Sequence, residues 1–178
     1  HRSMYVKFYK LTGMKSSELQ SKVRALYGAA ITIILVLLAS RKHELSLHKE
    51  KDVLALLNND LDILLGLEKK TAGTATGKQT ERAVIQEVKD ALAVILEITS
   101  YTQEKAKKET ILLKLPFGHS ANGVGKKSYY LTTNCLYVVL EHFAESAKFN
   151  RIKLRPHMFR RAYAMLWTWR FEIGDLEE

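Results

Sequence analysis

The densest chemistry in this 178-residue chain lies in Arg155-Pro156-His157-Met158-Phe159-Arg160-Arg161. Pro156 suits the first position of a helix, where its missing N–H costs nothing and its fixed φ is already helical. A helix starting there places His157 and Arg160 three residues apart, as neighbours on one face. At roughly 100° per residue, Phe159, Ala162, Tyr163, Leu166 and Trp169 share one side, which is expected to face the core. His157, Arg160, Arg161, Ala164 and Thr168 share the opposite side. A helix N-terminus carries unpaired N–H groups and a partial positive charge. With an imidazole and a guanidinium beside it, such an end is suited to holding a phosphate. Taken alone, the pair fits an ordinary solvated face better, with Arg160 bound to a nearby carboxylate.

Other chemistry-bearing patterns fail on spacing. Gly73-Thr-Ala-Thr-Gly77-Lys78 has three residues between its glycines where a P-loop needs four. Gln79 also stands where a magnesium-binding hydroxyl belongs. Gly123-Val-Gly125-Lys126-Lys127 fails similarly. Both read as basic loops able to meet a DNA backbone. His43 and His48 are five apart and do not share a helix face, and Cys135 stands alone, so no zinc site is expected.

The formal net charge of +9 points to a polyanionic partner, nucleic acid or an anionic membrane surface. Apolar residues make up 47% and charged residues 26%, as in a soluble globular protein of one domain. A single cysteine allows no disulfide framework within the chain, which fits a reducing, cytoplasmic setting. The longest apolar run, Ala29 to Ala39 broken by Thr32, is too short for a bilayer, so no membrane is expected. His1-Arg2-Ser3 reads as a cloning remnant, and residues 4–178 as the domain. Gly174-Asp175-Leu176-Glu177-Glu178 has the look of a helix start.

The elements that must position these residues are mostly helical. Ser16 offers an N-cap, an apolar helix is expected from about Tyr27 to Ala39, and a shorter polar one over Lys42 to His48. Asp52 to Leu57 and Leu61 to Leu67 are short apolar runs around Asn58-Asn59-Asp60, a hairpin signal. Leu and Ala keep a helix open for the first run. Arg82 to Gln86 supplies a candidate third strand. Helices are expected over Glu87 to about Lys107, with Val88, Leu92, Ile95 and Leu96 on one face, and over about Thr132 to Phe149. His119 to Lys127 reads as a Gly-rich, basic, mobile loop. The fold class is therefore mainly α with a small antiparallel three-stranded sheet, α+β.

Leu154-Arg-Pro-His-Met-Phe-Arg-Arg-Ala-Tyr-Ala-Met-Leu166 resembles the H-x-x-R box of tyrosine recombinases, the phage-integrase family. The upstream boxes of that family have counterparts in the same order. Ala39-Ser-Arg-Lys-His-Glu-Leu-Ser-Leu47 resembles its R-x-x-E-[LI] pattern, with Arg41 as first arginine and Glu44 as companion acid. Lys69-Lys-Thr-Ala-Gly73, followed by Arg82-Ala-Val-Ile85, resembles its hairpin lysine and returning strand, with Lys70 the better match and Lys69 the reserve. Ala39-Ser40 replaces a glycine common before the first arginine. Only 18 residues follow Arg160, and none of the eight tyrosines stands where the family keeps its nucleophile, so that segment is expected beyond Glu178.

The resemblance implies a catalytic domain for site-specific DNA recombination through a 3′-phosphotyrosine intermediate, an integrase-type enzyme when intact. Arg41 and Arg160 would clamp the scissile phosphate, Lys70 would protonate the 5′-oxygen, and His157 would hydrogen-bond the phosphate and help move protons. The chain by itself is expected to bind double-stranded DNA without completing cleavage. Lys126, Lys127, Arg155 and Arg161 are candidate DNA contacts. The intact protein would act as a tetramer on DNA at the nucleoid, without a cofactor. Read singly, Arg41 fits a cation complementing a helix C-terminus, and Lys70 a solvated loop. A non-catalytic recombinase-like DNA-binding module is the alternative.

Overall fold

A computed structural model describes residues 6, 9–45, 47–58, 62–68, 73, 77–100, 114–120, 127–130, 133–149 and 153–170. The elements run α1 (Ser16–Leu37), α2 (Lys42–Leu45), α3 (Glu50–Asn58), β1 (Ile63–Glu68), β2 (Lys78–Ala83), α4 (Gln86–Thr99), β3 (Lys114–Ser120), β4 (Lys127–Tyr130), α5 (Thr133–Ser146) and α6 (Pro156–Arg170).

Helix α1 is the centre of the molecule and packs against α4, α5 and α6. Tyr27, Ile31, Ile34, Leu35 and Leu38 recur at helical spacing and are buried. Val88, Ala91, Leu92 and Ile95 of α4 and Leu136, Val139 and Leu140 of α5 meet them. Ser16 is the first helical residue rather than the cap; extended Lys15 precedes it and makes no side-chain cap bond. With its polar first turns, α1 has 22 residues and is long and apolar enough to cross a membrane by length and composition alone. Seven residues of α1 are buried inside this fold.

Gly28 explains how closely α1 and α5 approach. A Cβ there would lie 2.5 Å from the Val139 carbonyl oxygen and 2.8 Å from Phe143 Cβ. Just past the end of α1, Ala39 adopts a left-handed φ of 46°. This is where the resemblance puts a glycine, and the reversal turns the chain into Ser40-Arg41.

Residues 50–58 form a helix, not the first strand of a hairpin. Val53 and Leu56 face inward at i, i+3 while Leu54 is exposed, a pattern masked by the uniform Leu/Ala composition. Strand β1 pairs antiparallel with β2 from Ile63↔Ala83 to Glu68↔Lys78. Among the described residues this sheet has two strands, not three. The returning strand starts at Lys78 and ends at Ala83, so it overlaps the stretch expected for it only at Arg82 and Ala83. A second hairpin, β3–β4, was missed because Pro116, Gly118 and the following glycines read as breaks. Its register shifts between Lys114 and His119, the kind of irregularity at which proline is tolerated in a strand.

Beneath β1 lies His48. Its Nδ1 donates to the Leu65 carbonyl at 3.1 Å, and its Nε2 is buried with no hydrogen bond among the described residues. Burial, more than the nearby Arg82 guanidinium, holds its pKa below the ordinary 6.5.

Helix α6 begins at Pro156, as expected. Phe159 is buried and Ala162 and Tyr163 are half-buried, but Leu166 and Trp169 are exposed at 59% and 83%. The helical wheel gives the direction of the core, not how far along the axis the core extends. Past Tyr163, which stacks on Trp167 at 6.0 Å, the helix leaves the described core.

Candidate functional site

The turn after α1 and the start of α6 face each other across one cavity. It is lined by Ser40, Arg41, Lys42, His43, Tyr137, Pro156, His157 and Arg160 and has a volume of about 330 Å³. Arg41, His157 and Arg160 are thus brought together although more than a hundred residues separate the first from the others. The packing of α1 on α6 explains it: the C-terminal end of one helix meets the N-terminal end of the other.

Each side chain has a local reason for its place. Phe159 anchors the first turn of α6 in the core, so His157 and Arg160 point outward, and both are exposed. The Met158 N–H bonds the Arg155 carbonyl at 2.9 Å and closes that first turn. The Arg155 guanidinium lies over the Tyr137 ring at 4.8 Å, a cation–π contact joining α6 to α5. Arg41 is half-buried and held from behind by Glu44. The Glu44 carboxylate accepts the Arg41 backbone N–H at 3.0 Å and Arg41 Nη1 at 3.4 Å.

The Glu44 side chain is only 5% exposed, and a buried carboxylate needs compensating cations. Arg82 of β2 supplies the second, with Nη2 at 2.7 Å from Glu44 Oε2. Its Nη1 donates to the Leu38 carbonyl at the end of α1. Among the described residues no acid lines the cavity, whereas Arg41, Lys42 and Arg160 line it with fixed positive charge and His43 and His157 with imidazoles. Such an arrangement attracts and orients a multiply oxygenated anion.

Of the residues singled out from the sequence, Arg41, His157 and Arg160 share the cavity. Lys70 lies outside the described residues, in the connection between β1 and β2. Lys126 also lies outside them, and only the backbone of Lys127, opposite Ser120, is described. Arg155 does not line the cavity but packs on Tyr137, which does. Arg161 is exposed and does not line the cavity. Sequence reasoning missed Lys42 and Tyr137 as lining residues and Arg82 as a partner of Glu44. Adjacency to Arg41 was a signal for Lys42; Tyr137 and Arg82 had none within their own segments. Among the described residues, no group of three or more His, Cys, Asp or Glu is placed to hold a metal.

No family model matches the sequence, and no curated protein matches it. The fold superposes on the crystal structure of XerA recombinase with a TM-score of 0.54 and 16% identity, over 96% of this chain and 60% of that one. The chain therefore spans about three-fifths of the recombinase it resembles. The likeness shows a mainly α, α+β fold of the recombinase kind.

Proposed function

We propose that this chain is the catalytic domain of a tyrosine-type site-specific recombinase and that its cavity binds the scissile phosphate of double-stranded DNA. The observation that carries this reading is the meeting of Arg41, His157 and Arg160 in one basic cavity. Transfer at a phosphodiester builds charge on the nonbridging oxygens, and preorganised cations there lower the barrier. Arg41 and Arg160 approach from two elements and can clamp those oxygens from two sides. His157 sits one turn before Arg160 and can donate to the same group or pass a proton. Lys70, in the β1–β2 connection, is the general acid of this proposal. The attacking tyrosine displaces the 5′-oxygen, which leaves with the Lys70 proton, and forms the 3′-phosphotyrosine link; strand exchange follows when protomers assemble as a tetramer on DNA. The likeness to a protein named as a recombinase supports the reading at the level of fold.

The test is binding of a fluorescent DNA duplex, followed by anisotropy across a salt series. A steep fall in affinity with salt is expected. Arg160→Gln should weaken binding about tenfold, the worth of one charged hydrogen-bonding group. Salt-insensitive or absent binding at low salt would sink the proposal. A suicide substrate distinguishes the roles of the tyrosines. The expected result is no covalent product with this chain; a trapped product would place the nucleophile inside it, with Tyr137 the first to substitute.

A further inference from the structure

We propose that Arg82 is a positioning residue for the phosphate site, acting through Glu44 on Arg41. The inference rests on reading the cavity as a DNA phosphate site, and it assigns a role to a strand residue that does not line that cavity.

Arg82 ties three elements together. Its backbone belongs to β2, opposite Leu64 of β1. Nη1 takes the Leu38 carbonyl, one of those left without an intrahelical partner at the end of α1. Nη2 takes Glu44 Oε2 of α2 at 2.7 Å. Ser40 and Arg41 lie in the short turn that these two bonds bracket.

The carboxylate is shared between the two arginines. Oε2 receives both Arg82 and the Arg41 backbone N–H, the latter at 3.0 Å. Oε1 is then left facing Arg41 Nη1 at 3.4 Å. The shorter bond orients the group, and the longer one sets where the Arg41 guanidinium stands on the cavity wall. Arg82 is also the nearer of the two guanidiniums to the Glu44 carboxylate, at 2.7 Å against 3.4 Å. Without it, a buried carboxylate has Arg41 as its nearest cation, draws that guanidinium inward and cancels its charge toward the cavity. The same bond couples Arg41 to the β1–β2 hairpin, whose connection carries Lys70.

A double-mutant cycle on DNA binding by the whole chain tests this. Arg41→Gln and Arg82→Gln should each weaken duplex binding about tenfold. Each should also lower the salt slope by about one phosphate contact. In the Arg41→Gln background, Arg82→Gln should have no further effect, because its route to the DNA is gone. Arg82→Lys should recover part of the loss, since an ammonium reaches the carboxylate but cannot also hold the Leu38 carbonyl. Near-ultraviolet circular dichroism checks that each variant is folded. If Arg82→Gln does not fold, the cycle is run with Arg82→Lys, whose smaller loss should likewise vanish in the Arg41→Gln background. Full additivity of the two losses would overturn the proposal, because Arg82 would then act independently of Arg41. Wild-type protein that fails to bind DNA would instead overturn the phosphate-site reading beneath it.

Discussion

Gly28→Ala should damage stability and DNA binding together, and the size of both effects follows from the geometry. The added Cβ would sit 2.5 Å from the Val139 oxygen, about 0.9 Å inside the 3.4 Å at which ordinary contact begins. Phe143 Cβ, at 2.8 Å, blocks a second direction. Neither atom is the end of a flexible side chain, so α1 and α5 must part. Overpacking of this kind costs about 1–3 kcal/mol, and a clash with backbone belongs at the upper end. Alanine recovers about 1 kcal/mol through its better helix propensity. The net loss is about 2 kcal/mol, or roughly 4–8 °C in Tm for a chain of this size.

The same displacement reaches the cavity. Helix α1 leads through Ala39 to Arg41, while α5 carries Tyr137 and precedes the helix with His157 and Arg160. Moving α1 off α5 by most of an ångström separates the two walls, and a site loosened by about 1 Å loses most of its preorganisation. Affinity for duplex DNA should fall several-fold at temperatures where the variant is fully folded. Thermal or urea unfolding reads the first effect and anisotropy the second. A Tm equal to or above wild type would refute the close approach; a lowered Tm with unchanged affinity would refute the mechanical link from α1 to the cavity.

Two further outcomes rest on single residues. Ala39→Gly relieves a left-handed conformation that costs an L-residue about 1–2 kcal/mol, of which glycine's greater unfolded-state entropy takes back roughly half. A gain of about 0.5–1 kcal/mol in urea unfolding is expected, and a loss would show that the φ assigned to this turn is wrong. His48 predicts an acid-sensitive stability. Its folded pKa lies below the unfolded 6.5, so the unfolded chain binds the proton more readily. The stabilisation is complete above pH 6.5 and is lost as pH falls below it toward the folded value, by up to about 1.4 kcal/mol per pH unit. Unfolding of wild type and His48→Gln between about pH 7 and pH 5 should show the wild-type slope flattened in the variant; parallel curves would remove His48 from the account.

The parts of the site legible from sequence are those set by local geometry. Pro156 fixes the frame of α6, and i, i+3 spacing then makes neighbours of His157 and Arg160. Arg41 follows the apolar helix at the point where the chain turns. What periodicity could not supply was the meeting of these two places, because it depends on α1 crossing α6, and only Gly28, Val139 and Phe143 in three dimensions show how tightly the bundle closes. Periodicity also left residues 50–58 open between strand and helix, because the unbroken apolar run Val53 to Leu57 shows neither a helical nor a strand stripe. For Leu166 and Trp169 the wheel's core face does not hold, because a wheel says nothing of where along the axis the core ends.

Arg82 marks a different kind of limit. Its partners Leu38 and Glu44 lie 44 and 38 residues away, beyond any local window. Yet part of the answer was implicit in the R-x-x-E spacing. A Glu44 carboxylate facing Arg41 across one helical turn sits at the edge of an apolar helix, where burial is to be expected. A buried carboxylate held by one guanidinium at 3.4 Å would be under-compensated, since desolvation costs several kcal/mol per ion before any pairing. Charge accounting therefore demands a second cation behind Arg41, although it cannot name one. The fold meets that demand from β2, the strand joined to the connection that carries Lys70. Strand β2, which returns from the connection carrying Lys70, thus also holds the acid that pairs with Arg41, so that strand and the turn presenting Arg41 share one ion-pair network.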